Sequence, residues 1–377
     1  MQVEFTLIPK GKNCVNVNVS TSIEIVGRSA QFQHIVEVLA RDGDLLVAGV
    51  PGCGRRTLVR TAALEVSAIA LEVDCIRAIA GRQFIELLAQ AISQNFDSTL
   101  LQTWVNTIAK DLFTVHSADN TTHLKLAPAV TPKQLWQAFE RLIQLPQLLA
   151  EVVNKRVVLI LQSFPHLRSW DRNSEWENTL RREIKLQTRV SYVLIGTIAE
   201  ITHSEDYPLE VVELTPLADD VLAVWARELL HTQGLTFDSR SPAMEIFIDA
   251  VQGHIGDAMT LIRRLVIRRT DQLIRDEQVH QAIQGLLQDL SITFESLLML
   301  LPATQVQLLE CLALDPTSKP QSREYIQKHG LSRGGSLQGA LIALQQKGLI
   351  YSAEQNYRLA LPFFALWLRQ RLSNSHL

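Results

Sequence analysis

Apolar runs and amphipathic stretches alternate along the first half of the chain. Leu45-Leu46-Val47-Ala48-Gly49 is apolar and stops at glycine, and Ile69 to Val73, Val157 to Leu161, Ser191 to Ile195 and Leu209 to Leu214 are runs of similar length. Short bounded runs of this kind read as buried strands. Between them apolar residues recur at helical spacing, as in Phe32, Ile35, Val36 and Leu39 on a helix from Ser29 to about Ala40. Further helices are predicted from Arg55 to about Val66, Gly81 to about Gln94 and Trp176 to Gln187. Apolar strands alternating with helices imply a parallel sheet covered on both faces.

Asp97 to Pro132 interrupts the alternation and reads as an insertion, with a helix-like stretch from Leu100 to Phe113 and a polar loop from His116 to His123. Residues 1–20 alternate too briefly for a domain and read as one or two appended strands with a turn at Gly11-Lys12-Asn13. After Pro216 the pattern turns helical: Asp219 to Gly234, Ser241 to Val251, Asp257 to Arg275 and Glu277 to Leu287. The end of the chain reads as helices at Thr304 to Leu314, Ser322 to Lys328 and Ser336 to Lys347. Short strands at Leu349 to Ser352 and Tyr357 to Leu361 and a helix from Pro362 to Leu372 follow. Three helices and a hairpin predict a winged helix-turn-helix, with Gly335-Ser336 capping its third helix.

The sharpest chemical feature sits between the first apolar strand and its helix: Gly49-Val50-Pro51-Gly52-Cys53-Gly54-Arg55-Arg56-Thr57. Glycines there let successive N–H groups converge on a phosphate, and the helix start adds its positive dipole end. The glycine spacing matches GxxxxG-Lys-Ser/Thr, with Arg55 in place of Lys and Arg56 in place of Ser/Thr. Arg55 keeps a charge that can fork onto phosphate oxygens. Arg56 has no lone pair to offer magnesium, and Thr57, one position on, is turned about 100° around the helix. A plain glycine-rich strand-to-helix turn is the bland alternative.

The strand Val157 to Leu161 should be followed by an acid for magnesium and a catalytic carboxylate, yet Gln162-Ser163-Phe164-Pro165 follows. Neither side chain can hold a metal's water shell by charge or polarise an attacking water. No catalytic residue and no metal ligand are therefore assigned. Thr197, after Val193-Leu194-Ile195-Gly196, would stand beside a γ-phosphate or be merely a polar strand end. Trp170 and Trp176 read as packing residues, and His254 as a helix cap or junction residue. Arg181-Arg182 reads as an exposed helix face or as a finger toward a neighbouring subunit.

With these pieces in order the chain resembles the AAA+ and STAND superfamily of P-loop ATPases, most closely the archaeal-type ATPases that end in a winged helix. The resemblance is carried by Ile25-Val26-Gly27-Arg28, the loop Gly49 to Thr57, Val157 to Pro165, Tyr192 to Thr197 and Val212 to Leu217. Gly253-His254 and Leu361-Pro362-Phe363-Phe364-Ala365-Leu366-Trp367-Leu368 complete it, over roughly residues 22 to 372. It implies an α/β fold: a P-loop NTPase parallel sheet with a helical lid and a C-terminal winged helix-turn-helix domain. The expected division is an N-terminal strand extension (1–21), an αβ nucleotide-binding core (22–216), a lid (217–289) and the winged helix (290–377). It also implies ATP or ADP between core and lid, Val26 and Arg28 near the adenine, and oligomerisation or partner binding coupled to nucleotide state. Arg56, Gln162, Ser163 and Met259 lack the groups the family uses at those places, so magnesium is not supported. Leu361 stands where the family commonly has Asp.

Composition narrows the classes further. With 47% hydrophobic and 20% charged residues and a net charge of -3, the chain is a packed protein and no blanket polyanion binder. Cys14, Cys53, Cys75 and Cys311 form no CxxC pair, which suits a reduced compartment, and no run approaches a membrane span, so the expected location is cytoplasmic. Residues 290–377 hold eight Lys and Arg against five Asp and Glu, +3, while the rest carries -6. The third helix of the winged domain offers Gln338, Gln345, Gln346 and Lys347, with Arg333 before it, so it can face DNA or protein. The favoured reading is a nucleotide-binding, hydrolysis-deficient regulator or scaffold that works through homo- or hetero-oligomers and protein partners. The alternatives are an active ATPase with partner-supplied groups, and a winged-helix DNA-binding protein.

Overall fold

The computed structural model describes residues 25–118, 121–201, 209–269, 271–331, 335–353 and 356–374. The expected N-terminal strands, Cys14 and Arg333 lie outside them. In chain order the αβ part consists of α1 (Ser29–Ala40), β1 (Leu45–Gly49), α2 (Arg55–Glu65), β2 (Ile69–Asp74), α3 (Gly81–Ser93), α4 (Ser98–Trp104), β3 (Phe113–Ala118) and β4 (Thr121–Leu126). It continues with α5 (Pro132–Val153), β5 (Val157–Gln162), α6 (Glu175–Leu186), β6 (Val190–Gly196) and β7 (Glu210–Leu214).

The five longer strands outside the β3–β4 hairpin form a parallel sheet of order β2-β5-β6-β1-β7, as the apolar runs predict. Alternate residues of β1 and β5 enter opposite cores. Val158 and Ile160 face α1 and α2, and Leu159 and Leu161 face α3, α5 and α6. Because all five strands run the same way, Gly49, Gln162 and Gly196 emerge at one edge.

Two readings of the insertion are corrected. The helix stops at Trp104, passes through one π turn (Val105–Ala109), and the supposed polar loop is the antiparallel hairpin β3–β4. Buried Phe113, Leu124 and Leu126 alternate with exposed Thr114 and Lys125, a period of two that overrides the helical look of the segment. The long helix α5 was not anticipated. Thr131 caps it in a reciprocal box with Gln134, Pro132 fits its first turn, and Pro146 lies inside it.

The helical part consists of α7 (Asp219–Thr232), β8 (Thr236–Phe237), α8 (Ala243–Val251), α9 (Ile255–Ile267), β9 (Leu273–Ile274) and α10 (Asp276–Met299). The helix expected to reach Arg275 ends at Ile267, because Leu273 and Ile274 pair with Thr236 and Phe237 as β9 and β8. The terminal part is α11 (Ala303–Leu314), α12 (Arg323–His329), α13 (Gly335–Gln346), β10 (Ile350–Ala353), β11 (Asn356–Leu359) and α14 (Pro362–Asn374). Gly335 and Ser336 lie inside α13 and do not cap it; the position before Gly335 is outside the described residues.

Helix α10 runs unbroken through 24 residues, and the helical and terminal parts share one apolar core from Leu217 to Leu368. Phe363, Phe364, Trp367 and Leu368 are buried in it. Trp170 and Trp176 pack on each other and on Phe84 in the αβ core, as expected of packing residues. Among the described residues, no helix is long and apolar enough to cross a membrane.

Candidate functional site

The loop from Gly49 to Thr57 leaves the centre of the sheet at the edge where Gln162 and Gly196 also emerge. Gly49 ends β1, Val50 is buried, Pro51 turns the chain, and Gly52 and Gly54 take φ of 80° and 89°. Gly54 is the left-handed cap from which α2 starts at Arg55. Cys53 is buried against Gly49, where a Cβ would lie 2.8 Å from its Sγ. Burial pushes the Cys53 thiol up, and the charges of Arg55 and Arg28 pull it part of the way back.

The two arginines of the loop point to different partners. Arg55 is half-buried and donates to the Gly196 carbonyl at the end of β6, and burial lowers its pKa, opposed by Cys53. Arg56 lies on the exposed side and donates from Nε to Glu72 Oε2 at 3.0 Å. Glu72 Oε1 receives Arg60 at 2.7 Å, and Gln162 Nε2 donates to Glu72 Oε2 at 2.7 Å. Thr57 is exposed.

The place where a magnesium ion would meet a P-loop hydroxyl and a strand-end carboxylate therefore holds a guanidinium, an amide and one saturated carboxylate. This donor set does not fit magnesium: Arg56 and Gln162 both donate, and Glu72 already binds two cations. Sequence reasoning missed Glu72. Its signal was an acid inside the apolar run Ile69-Ala70-Leu71-Glu72-Val73, placed across from Ile160 by the β2–β5 register.

The neighbouring residues converge on the loop. Arg28 is buried, donates to the Thr215 carbonyl and lies near enough to Cys53 to act on its charge, with its own pKa lowered by burial. Val26 packs on the lid core. Thr197 follows β6, and its Oγ1 is buried with no hydrogen-bond partner among the described residues. His254 caps α9 by accepting from Asp257 N at 3.0 Å, and its Nε2 bonds the Pro51 carbonyl. Gly253 makes this possible: at φ 74° it lies so close to Leu217 that a Cβ would fall 2.3 Å from that residue's carbonyl oxygen.

Arg181 is paired with Glu177 at 3.0 Å within its own helix. Met259 stays at the edge of the lid core, and Arg264 pairs with Asp289. The outward side of α13 carries Gln338, Ile342 and Gln346, while Lys347 donates to Gln305 at 2.8 Å.

A family model described as "Probable winged helix domain" matches residues 292–370. Among solved structures the chain is similar to a Walker-type ATPase of Pyrococcus abyssi, with 16% identity over 92% of this chain and 96% of that one and a TM-score of 0.65. It is also similar to the ORC2 protein of Aeropyrum pernix in ADPNP–ADP complexes, with 13% identity over 95% and 97% and a TM-score of 0.56. The fold is thus the one shared by that Walker-type ATPase and that ORC2 protein, with a probable winged helix domain at residues 292–370. Comparison with curated protein sequences finds no match.

Proposed function

We propose that this protein binds ATP or ADP at the loop Gly49 to Thr57, does not hydrolyse it, and serves as a regulator or scaffold through protein partners and self-association. The observation that carries the reading is the Arg56–Glu72–Gln162 cluster, which puts an internal ion pair where the magnesium and hydrolysis groups would stand. The glycine cradle and Arg55 support phosphate binding. The fold shared with an ORC2 protein solved with ADPNP and ADP supports a nucleotide of that class. A subunit that cannot cycle through hydrolysis works as a ligand-gated shape. The outward face of α13 pairs glutamines with an apolar Ile342, which suits a protein surface better than a phosphate backbone.

Calorimetry with ATP and ADP, with and without chelator, tests the reading. Binding that survives chelation, together with phosphate release at background, is expected. No binding at millimolar nucleotide refutes it. So does turnover that an Arg55→Ala variant abolishes. Submicromolar duplex DNA binding at physiological salt, with a salt slope for about six phosphates, would move the winged helix to DNA.

A further inference from the structure

The winged helix reaches the phosphate loop by two routes. The turn before β10 seats on it directly: a Cβ at Gly348 would lie 2.9 Å from Thr197 Cγ2 and 3.4 Å from Pro51 Cγ. The second route runs through the lid. His254 Nε2 bonds the Pro51 carbonyl, and its ring lies so close to Gly52 that a Cβ there would fall 2.6 Å from Cε1.

On the other side of the ring, Nδ1 accepts from Asp257 N at 3.0 Å and stands 3.2 Å from Asp257 Oδ1. Asp257 Oδ2 in turn accepts from Phe363 N at 3.0 Å, in the first turn of α14. Leu361, the residue before α14, has no polar side chain with which to cap it. Asp257 supplies that cap from a different domain, a carboxylate at a helix N-terminus. The contacts form an unbroken line from the phosphate loop through one imidazole and one carboxylate to the first turn of the terminal helix.

We propose that His254 and Asp257 are a positioning pair through which the phosphate loop and the winged helix sense each other, so that nucleotide at the loop alters the seating of α14. The coupling rests on the nucleotide reading given above, but the link itself exists without nucleotide. His254 holds the loop by a donor on Nε2, and it holds the lid by an acceptor on Nδ1. Two conservative variants separate these roles. In His254→Asn the shorter side chain caps α9 but does not reach Pro51. In His254→Gln the longer one donates to Pro51.

Hydrogen–deuterium exchange of the full chain, read over residues 348–368 with and without 1 mM ADP (roughly the upper range of ordinary ligand affinities), tests the pair. Asp257→Ala is expected to speed exchange at the start of α14 by about tenfold even without nucleotide, the effect of losing one cap. His254→Asn is expected to lose any ADP-dependent change over 348–368, while His254→Gln retains it. Unchanged exchange in Asp257→Ala overturns the proposal. So does a His254→Asn protein whose response to ADP equals that of wild type, since a capping role alone is satisfied by Asn. If ADP binds to no variant and not to wild type, the nucleotide reading fails, and the nucleotide-free exchange of Asp257→Ala and His254→Asn still decides whether the link exists.

Discussion

Arg168 joins the segments that follow β5 and β6, and its removal is expected to destabilise this edge of the sheet. Its Nε and Nη2 bond the two oxygens of Glu177, each at 2.9 Å, and its Nη1 bonds Glu200 at 2.8 Å. The acids are only 2% and 5% exposed. The Glu177 hydrogen bond holds the Arg168 guanidinium above its usual pKa, against burial. Arg168→Met keeps the apolar stem and removes the charge. Glu177 then retains Arg181 at 3.0 Å, but Glu200 is left without a cation among the described residues.

Taking one partner from a buried pair costs about 3–5 kcal/mol. Arg168 is itself 32% exposed and Glu177 stays paired, which places the loss near the lower end, about 3 kcal/mol. Urea unfolding followed by tryptophan fluorescence reports it, since Trp170 and Trp176 pack in the αβ core that the network holds together. Adding Glu200→Gln to Arg168→Met is expected to recover more than half of the loss. A loss below about 1 kcal/mol, the range of an exposed pair, would refute the reasoning.

Three further changes have definite expected outcomes. Glu72→Gln releases Arg56 and Arg60, whose ion pairs are exposed, so stability should change by less than about 1 kcal/mol. Fluorescent-ADP affinity in chelator should rise several-fold; a fall would mean that the Glu72 cluster helps to hold nucleotide. Gly52→Ala forces a side chain into left-handed backbone and onto the His254 ring, so it should cost about 2–4 kcal/mol in thermal unfolding; a cost under about 1 kcal/mol would show that the ring gives way.

Burial pushes the Asp44 carboxyl up to about 7, with the hydrogen bond from Tyr192 N pulling the other way. The native state then holds a proton that the unfolded chain has lost. Stability from this group should fall from about pH 4 to 7, by up to about 1.4 kcal/mol per pH unit, and level off above. Asp44→Asn should flatten that slope in unfolding measured from pH 4.5 to 8, and an unchanged slope would place the proton elsewhere.

The sheet and the glycine-rich loop were legible in the sequence because both rest on local pattern. A five-residue apolar run ending at Gly49 is short enough to read as a buried strand, and the glycines at 52 and 54 are the residues that tolerate the left-handed turns seen there. That Arg56, Gln162 and Ser163 carry no carboxylate could likewise be read directly, since it depends only on residue type. The partner that Arg56 and Gln162 share could not be read this way. Glu72 meets Arg56 and Gln162 only because β2 and β5 are neighbours in a parallel register.

The same holds for the hairpin of residues 113–126, where an alternating pattern lost to a helical-looking composition until the pairing of Phe113 with Leu126 showed its period. The reach of the winged helix to the phosphate loop is the extreme case. Pro51, His254, Asp257 and Phe363 span three parts of the chain, and no spacing along it announces their contact. Local pattern sets which elements form and which groups are chemically available. Long-range packing alone decides which of those groups meet, because a hydrogen bond of about 3 Å depends on the placement of whole domains.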